Sequence, residues 1–126
     1  DDDDVDAAIT AALGDLAEHV TIERLLSEAA TASSIDTDLY RAIEAALTQR
    51  YPGARVVPVL FPGGSDLRVA RRLGGIGYGF GAVDSGASLG QVYSQLHAHD
   101  EHIDLADVRA TAEVLHEVVT TYLTHV

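Results

Sequence analysis

The stretch LFPGGSDLRVARRLGGIGYGFG, residues 60–81, decides the fold that we predict for this 126-residue chain. The Pro-Gly-Gly sequence at 62–64 predicts a turn, because proline cannot donate to a strand ladder and glycine accepts the positive φ of a tight turn. Ser65 or Asp66 can then cap a helix that runs towards Leu73. The first half of the stretch is therefore predicted to be a turn followed by a short helix.

Large residues and glycines alternate in the second half of the stretch. This period of two is typical of a strand, and it places three large side chains on one face and bare backbone on the other: Ile76, Tyr78 and Phe80 against Gly77, Gly79 and Gly81. A bare face allows another group to approach the backbone closely. A second short apolar run at 55–61 also predicts a strand, and we expect the two strands to pair in parallel across the intervening helix.

Helical and strand patterns alternate along the rest of the chain. Residues 1–18 predict an amphipathic helix, and the alternation after His19 predicts a strand with one solvated face. A helix capped by Asp36 and a long final helix from Asp104 follow. That final helix carries an apolar stripe made of Leu105, Val108, Ala112, Leu115, Val119 and Tyr122. The sequence therefore predicts an α/β fold, part of a mixed, mainly parallel sheet with flanking helices.

Composition excludes several classes of partner. The formal net charge of −12, from 20 acids and 8 bases, argues against nucleic acid or an anionic membrane. No apolar run approaches the roughly 18 residues of a membrane helix, and the acidic start is unlike a secretory signal, so we expect a cytoplasmic protein. Because cysteine is absent, only histidine and carboxylate can ligate metal. Methionine is absent too, so we expect a processed chain or a piece of a longer one.

The histidines of the HAHDEH sequence, residues 97–102, are the strongest candidates for metal chemistry. An extended backbone would place His97 and His99 on one face, with Asp100 and His102 on the other. Imidazole and carboxylate suit zinc, but a zinc site needs three or four converging ligands. A polar segment before a helix cap is an equally good interpretation of this spacing.

Three other features are open to a chemical interpretation. The glycines do not favour a dinucleotide site, because that fingerprint belongs at a turn from strand to helix. Glu113 and His116 have the i, i+3 spacing of carboxylate metal sites, but no second copy occurs, so a solvated helix face is predicted. Arg68 beside Asp66 could clamp a carboxylate or form a surface ion pair.

The order of these motifs resembles one family across essentially the whole chain. The resemblance rests on SSIDTDLYRAIEAALTQRYPGARVVPVLFPGGSDLRVARRLGGIGYGFG at 33–81 and LHAHDEHIDLADVRATAEVLHEVV at 96–119. These sequences are similar to the carboxyl-terminal half of the zinc amidohydrolases and metallopeptidases that include acetylornithine deacetylase, succinyl-diaminopimelate desuccinylase, aminoacylase and carnosinase. The resemblance implies that residues 1–30 are the closing helix and strand of a lid domain used for dimerisation. Residues 31–126 would then belong to the catalytic domain.

The resemblance also implies roles for individual residues. His97 matches the last metal-ligating histidine of the family, which makes His99 and His102 bystanders, and Glu101 matches the supporting acid that follows that ligand. The sequence GGSDLR at 63–68 matches a Gly-Gly/Ala-Thr-Asp-x-Arg signature whose arginine is expected to hold a substrate carboxylate. The substrate-binding set implied in this way is Ser65, Asp66, Arg68, Gly79 and Gly81. Ser65 replaces the usual threonine, and Ala82 stands where proline often follows Gly-Phe-Gly.

What the resemblance implies for function is a hydrolase that cleaves the amide bond of an N-acyl amino acid or small peptide with zinc-activated water. The complete site holds two zinc ions, with cobalt or manganese as substitutes, and its other ligands and general base belong to sequence that precedes this chain. No catalytic residue is therefore assigned here, and we expect the chain alone to be inactive and to bind zinc weakly. Its expected partners are the missing part of the catalytic domain, a carboxylate-bearing substrate and a second subunit. A non-catalytic binding or association module is the alternative.

Overall fold

The computed structural model describes residues 2–61 and 63–124, and their regular structure is helical. The helices are α1 (Asp2–Leu13), a 3-10 helix (Gly14–His19), α2 (Asp38–Arg50), α3 (Leu67–Arg72), α4 (Leu89–Gln95) and α5 (Leu105–Thr124). The chain divides into two compact units, Asp1–Ala32 and Ser33–Val126. No helix within the described ranges has both the length and the apolar character that a membrane crossing requires.

The predicted α/β fold with a mixed, mainly parallel sheet is wrong. The described residues contain no strand, and the runs at 20–26, 55–61 and 76–80 lack regular secondary structure. Alternation with a period of two indicates only which side chains share a face, whereas a sheet also needs a second backbone at ladder distance. In this chain several backbone donors after residue 76 bond to side chains instead: Gly77 N–H to Ser33, Ala82 N–H to Thr111, and the N–H groups of Asp84 and Ser85 to Asp107.

The first unit is a helix followed by an irregular segment. The predicted helix over 1–18 divides into α1 and the 3-10 helix, and the change occurs at Gly14, whose φ is +54°. Arg24 donates a charge-assisted hydrogen bond to Asp6 and so ties the irregular segment to α1. The two segments border an open cleft of about 520 Å³ lined in part by Val5, Ile9, Ile22, Leu25 and Leu26. The first unit therefore retains a large exposed apolar surface.

The core of the second unit is the contact between α2 and α5. The buried side chains of α2 are Ala42, Ile43 and Ala46, and those of α5 include Ala110, Val114 and Val118. Alanines at the contact allow the two helix axes to approach closely, and Ala110 is completely buried. Thr37 caps α2 by accepting a hydrogen bond from the backbone N–H of Tyr40. This cap lies one residue beyond the predicted Asp36.

The buried side of α5 differs from the apolar stripe that the sequence suggests, although Tyr122 of that stripe packs against the core. Leu105, Val108, Leu115 and Val119 are between 44% and 81% exposed. The helix has two apolar stripes, and the one that contains Val114 and Val118 packs on α2. Periodicity alone does not say which of two such stripes is buried, because both repeat at helical spacing.

Two adjacent valines of α5 provide a matched test of this packing. Val118→Ala should lower the free energy of unfolding by about 1.5–3 kcal/mol, because it removes buried methyl groups and leaves a cavity. Val119→Ala should change it by less than about 0.5 kcal/mol, since Val119 is 46% exposed. Urea unfolding of the two variants measures both values. A larger loss for Val119→Ala would mean that α5 is rotated from the orientation described here.

Candidate functional site

The segment at residues 63–68, called the glycine loop below, consists of a turn at 63–66 and the first two residues of α3. Ser65 begins the turn into α3: its Oγ accepts a hydrogen bond from Leu67 N–H at 3.3 Å, and its carbonyl accepts one from Arg68 N–H at 3.0 Å. Asp66 occupies the N-cap position but makes no capping hydrogen bond with its side chain. A Cβ added to Gly64 would lie 3.5 Å from the Arg68 guanidinium. Arg68 therefore extends back over the glycine loop. Pro62, where the sequence predicts a strand break, lies outside the described residues.

Arg71 joins α3 to the glycine-rich segment. Its guanidinium donates to the carbonyl of Gly77 at 2.6 Å and to Ser33 Oγ at 3.1 Å, and the same Ser33 Oγ accepts from Gly77 N–H. A Cβ at Gly77 would lie only 2.6 Å from Leu67 Cδ2, so a side chain there would require the end of the Leu67 side chain to move. Gly77 is thus a packing glycine.

The two glycines predicted to bind substrate have more open surroundings. Nothing lies within 4 Å of a Cβ built on Gly79, and a Cβ on Gly81 would meet only Thr111 Oγ1, at 3.7 Å. Both residues are exposed. Their exposure leaves the backbone accessible, and this part of the chain has no regular secondary structure.

Asp107 and Thr111, one turn apart on α5, hold the chain that follows these glycines. Thr111 Oγ1 accepts a hydrogen bond from Ala82 N–H at 3.0 Å. The Asp107 carboxylate is 8% exposed and accepts hydrogen bonds from the N–H groups of Asp84 and Ser85 and from Ser85 Oγ, at 2.7–2.8 Å. These bonds stabilise the ionised form, and the pKa of Asp107 is lowered, first by the Ser85 backbone N–H and then by its hydroxyl.

Ion pairs and a tyrosine hydrogen bond attach the segment that contains Asp84 to the end of α2. Arg50 donates to the carboxylates of Asp84 and Glu113 at 2.5 and 2.8 Å, and Tyr51 Oη donates to Asp84 at 2.6 Å. The Arg50 guanidinium is the main reason that the pKa of Asp84 is lowered. Burial is the main reason that the pKa of Tyr51 is raised, with its bond to Asp84 contributing. The segment is therefore attached to both helices of the core.

His97 lies in a tight turn directly after α4, and the expectation of an extended backbone at 97–102 is wrong. Both His97 and Asp100 have a φ of +58°, in the left-handed region that residues other than glycine adopt infrequently. The ring of His102 is hydrogen-bonded to the carbonyl of Asp100 at 2.7 Å, which closes the turn. The side chains of His97, His99 and Glu101 are all exposed.

Comparison with known families assigns the chain. The family model described as peptidase family M20/M25/M40 matches residues 2–121. The chain belongs to this peptidase family. No curated protein and no solved structure matches it. Family membership supports a peptidase or hydrolase domain, which is the general class of activity that the resemblance implies.

The described part of this M20 chain does not fit a metal site by itself. Within it, no group of three or more histidine, aspartate or glutamate side chains is close enough to hold an ion. Zinc sites in proteins use three or four protein ligands. His97 therefore stays a predicted single ligand.

The predicted site residues lie on three segments of the chain. Ser65, Asp66 and Arg68 belong to the glycine loop, and Gly79 and Gly81 belong to one segment without regular secondary structure. His97 lies in the turn after α4, and Glu101 follows that turn. Sequence reasoning missed α4, although Ser88 and Gln91 form a capping box that the S-x-x-Q spacing could have indicated. It also missed Asp107 and Thr111. Their signal is a pair of polar residues within the second apolar stripe of α5, the one that contains Val114 and Val118.

The lowered pKa of Asp107 predicts how stability depends on pH. The native state binds the Asp107 proton more weakly than the unfolded state, so this contribution is complete above the unfolded pKa and is lost as pH falls through the folded pKa. Asp107→Asn should therefore be less stable than wild type at pH 7, and the difference should narrow below about pH 5. Urea unfolding at a series of pH values measures it.

Asp15→Asn, at an exposed position in the 3-10 helix, controls for the loss of one negative charge. A stability difference between wild type and Asp107→Asn that stayed constant from pH 7 to pH 3 would contradict the role assigned to the ionised carboxylate.

Proposed function

We propose that this chain is the carboxyl-terminal portion of a zinc-dependent M20 hydrolase that cleaves an amide bond of an N-acyl amino acid or small peptide. The match to the family over residues 2–121 is the observation that carries the proposal. The order of the GGSDLR, GYGFG and HAHDEH sequences, quoted above for the resemblance, supports the narrower description. Cobalt or manganese could replace zinc in such a protein.

The proposed contribution of this chain is recognition of the substrate and one metal ligand. Arg68 holds the substrate carboxylate, and Ser65 and Asp66 line the same loop. The open backbone at Gly79 and Gly81 admits the substrate. His97 supplies the metal ligand, supported by Glu101. The general base and the other ligands are provided by a preceding part of the catalytic domain.

The proposal also covers the assembly and location of the protein. We assign residues 1–30 to the end of a lid domain through which two subunits associate in the cytoplasm. The exposed apolar side chains of α1 and the 3-10 helix, among them Val5 at 53% and Leu16 at 62%, support an association role for this unit.

The assignment of His97 is tested in the longer enzyme to which we assign this chain. His97→Ala should lower zinc content and kcat together, because loss of one of only a few protein ligands weakens metal binding. His99→Ala, two residues away and also exposed, is the matched control and should keep both. Metal analysis of the purified proteins and an amidase assay measure the two effects.

The assay discriminates between the candidate functions. Loss of zinc in His99→Ala but not in His97→Ala would refute the register of the site. A protein that contains this sequence, binds no zinc and hydrolyses no N-acyl amino acid or small peptide would instead be a non-catalytic binding or association module.

The role of Arg68 is tested by ligand binding to the 126-residue chain. Arg68→Ala should weaken binding of an N-acetyl amino acid by about 1.5–3 kcal/mol, the contribution of a hydrogen bond to a charged group. Wild type should discriminate against the corresponding amide, which has no carboxylate. NMR titration measures both affinities, and Arg55→Ala, at an exposed arginine outside the loop, is the control. Equal affinity of wild type for acid and amide would contradict the proposed role.

A further inference from the structure

An aromatic pair links the two regions that carry the predicted site residues. The rings of Phe61 and Tyr93 are stacked, with centroids 5.9 Å apart and planes inclined by 23°. Phe61 lies just before the loop at residues 63–68, and Tyr93 lies in α4, which leads into the turn of His97. The stack therefore connects the loop with the segment that carries the predicted metal ligand.

The phenyl ring of Phe61 and the guanidinium of Arg68 lie beside consecutive glycines of that loop. A Cβ on Gly63 would be 2.5 Å from Phe61 Cε1, and a Cβ on Gly64 would be 3.5 Å from Arg68 Nη1. The apolar ring and the cation therefore lie against neighbouring residues of the same loop. A side chain at Gly63 would collide with the ring, so glycine at this position allows Phe61 to lie directly against the loop.

Both rings keep apolar surface available for contact. Phe61 is 47% exposed and Tyr93 is 41% exposed. Arg68 already has an intramolecular partner, so a bound carboxylate would join or replace that contact. A negatively charged ligand with an adjacent apolar group matches this pairing of cation and rings in both charge and polarity.

We propose that the Phe61 and Tyr93 stack is a specificity-determining surface that selects substrates with an aromatic or large apolar side chain next to the carboxylate held by Arg68. The inference rests on the proposed function, since it takes the ligand to be an N-acyl amino acid or peptide. In this arrangement the carboxylate lies at Arg68 and the side chain packs against the exposed ring surface. The substrate class is thereby narrowed to N-acyl aromatic and large aliphatic amino acids and peptides that end in them.

The test compares two ligands that differ only in the side chain. NMR titration of the 126-residue chain with N-acetylphenylalanine and N-acetylalanine should give an affinity at least about tenfold higher for the phenylalanine ligand. Tyr93→Ala and Phe61→Ala should each reduce this ratio to about twofold or less, while binding still depends on the carboxylate. Leu105→Ala, at an 81% exposed apolar residue on α5, is the control and should leave the ratio unchanged.

A third variant guards against loss of folding in the first two. Gly63→Ala keeps both rings but places a methyl group where it collides with Phe61, so it should displace the ring and lower the ratio. Amide spectra of each variant without ligand establish whether the fold is retained. If a ring variant does not fold, the affinity ratios of wild type and Gly63→Ala test the inference instead, and an equal ratio in these two proteins would contradict it.

The outcomes separate this inference from the proposed function. Binding that depends on the carboxylate but is equal for the two side chains would overturn the inference and leave the role of Arg68 intact. A preference for phenylalanine that survives loss of either ring in a folded variant would also overturn it. If neither ligand binds, or if binding does not depend on the carboxylate, both the proposed substrate site and this inference are wrong.

Discussion

The packing of α5 against α2 is the contact on which the rest of the second unit depends. Small side chains at the contact, with Ala110 completely buried, bring the helices close together. The same face of α5 carries Asp107 and Thr111, which bond the chain at 82–85. Arg50, in the last turn of α2, bonds Asp84 from the other helix. One helix pair thus provides both the apolar core and the polar attachments that hold a segment without regular secondary structure.

These attachments explain how a segment without regular secondary structure is held in place without a sheet. A buried backbone N–H needs a hydrogen-bond acceptor, and in a sheet the neighbouring strand supplies it. Here Ser33, Thr111 and Asp107 supply it from side chains. The glycines of the segment then serve different purposes, because Gly77 is packed against Leu67 whereas Gly79 faces open space. A run of alternating glycines therefore contains a packing position and, two residues later, a position that a ligand can approach.

Sequence reasoning succeeded where structure is local and failed where it depends on distant residues. The helices near residues 1–18, 36–50 and 104–124 follow from periodicity and capping within one segment, and the structure contains all three to within a few residues, the first divided at Gly14. The sheet failed because strand pairing needs a partner that no local pattern identifies. The buried face of α5 was missed since two apolar stripes compete for it. The turn and short helix that begin in the glycine loop were predicted because glycine and Ser65 influence the backbone next to them. The contact between Phe61, just before this loop, and Tyr93 of α4 was not predicted, because the two residues are 32 positions apart in the sequence.

The elements that carry the predicted site residues are the least self-sufficient parts of the fold. Helices α3 and α4 have 6 and 7 residues, well below the length at which an isolated helix is stable in water. Their positions must come from tertiary contacts: α3 is held by Arg71 and by Leu67 against Gly77, and α4 has the stack of Tyr93 on Phe61. Side chains outside the predicted site, such as Arg71 and Tyr93, therefore position the elements that carry the predicted site residues. The α2 and α5 pair forms the packed core of the second unit, and the short helices and loops beside it depend on that core and on one another for their positions.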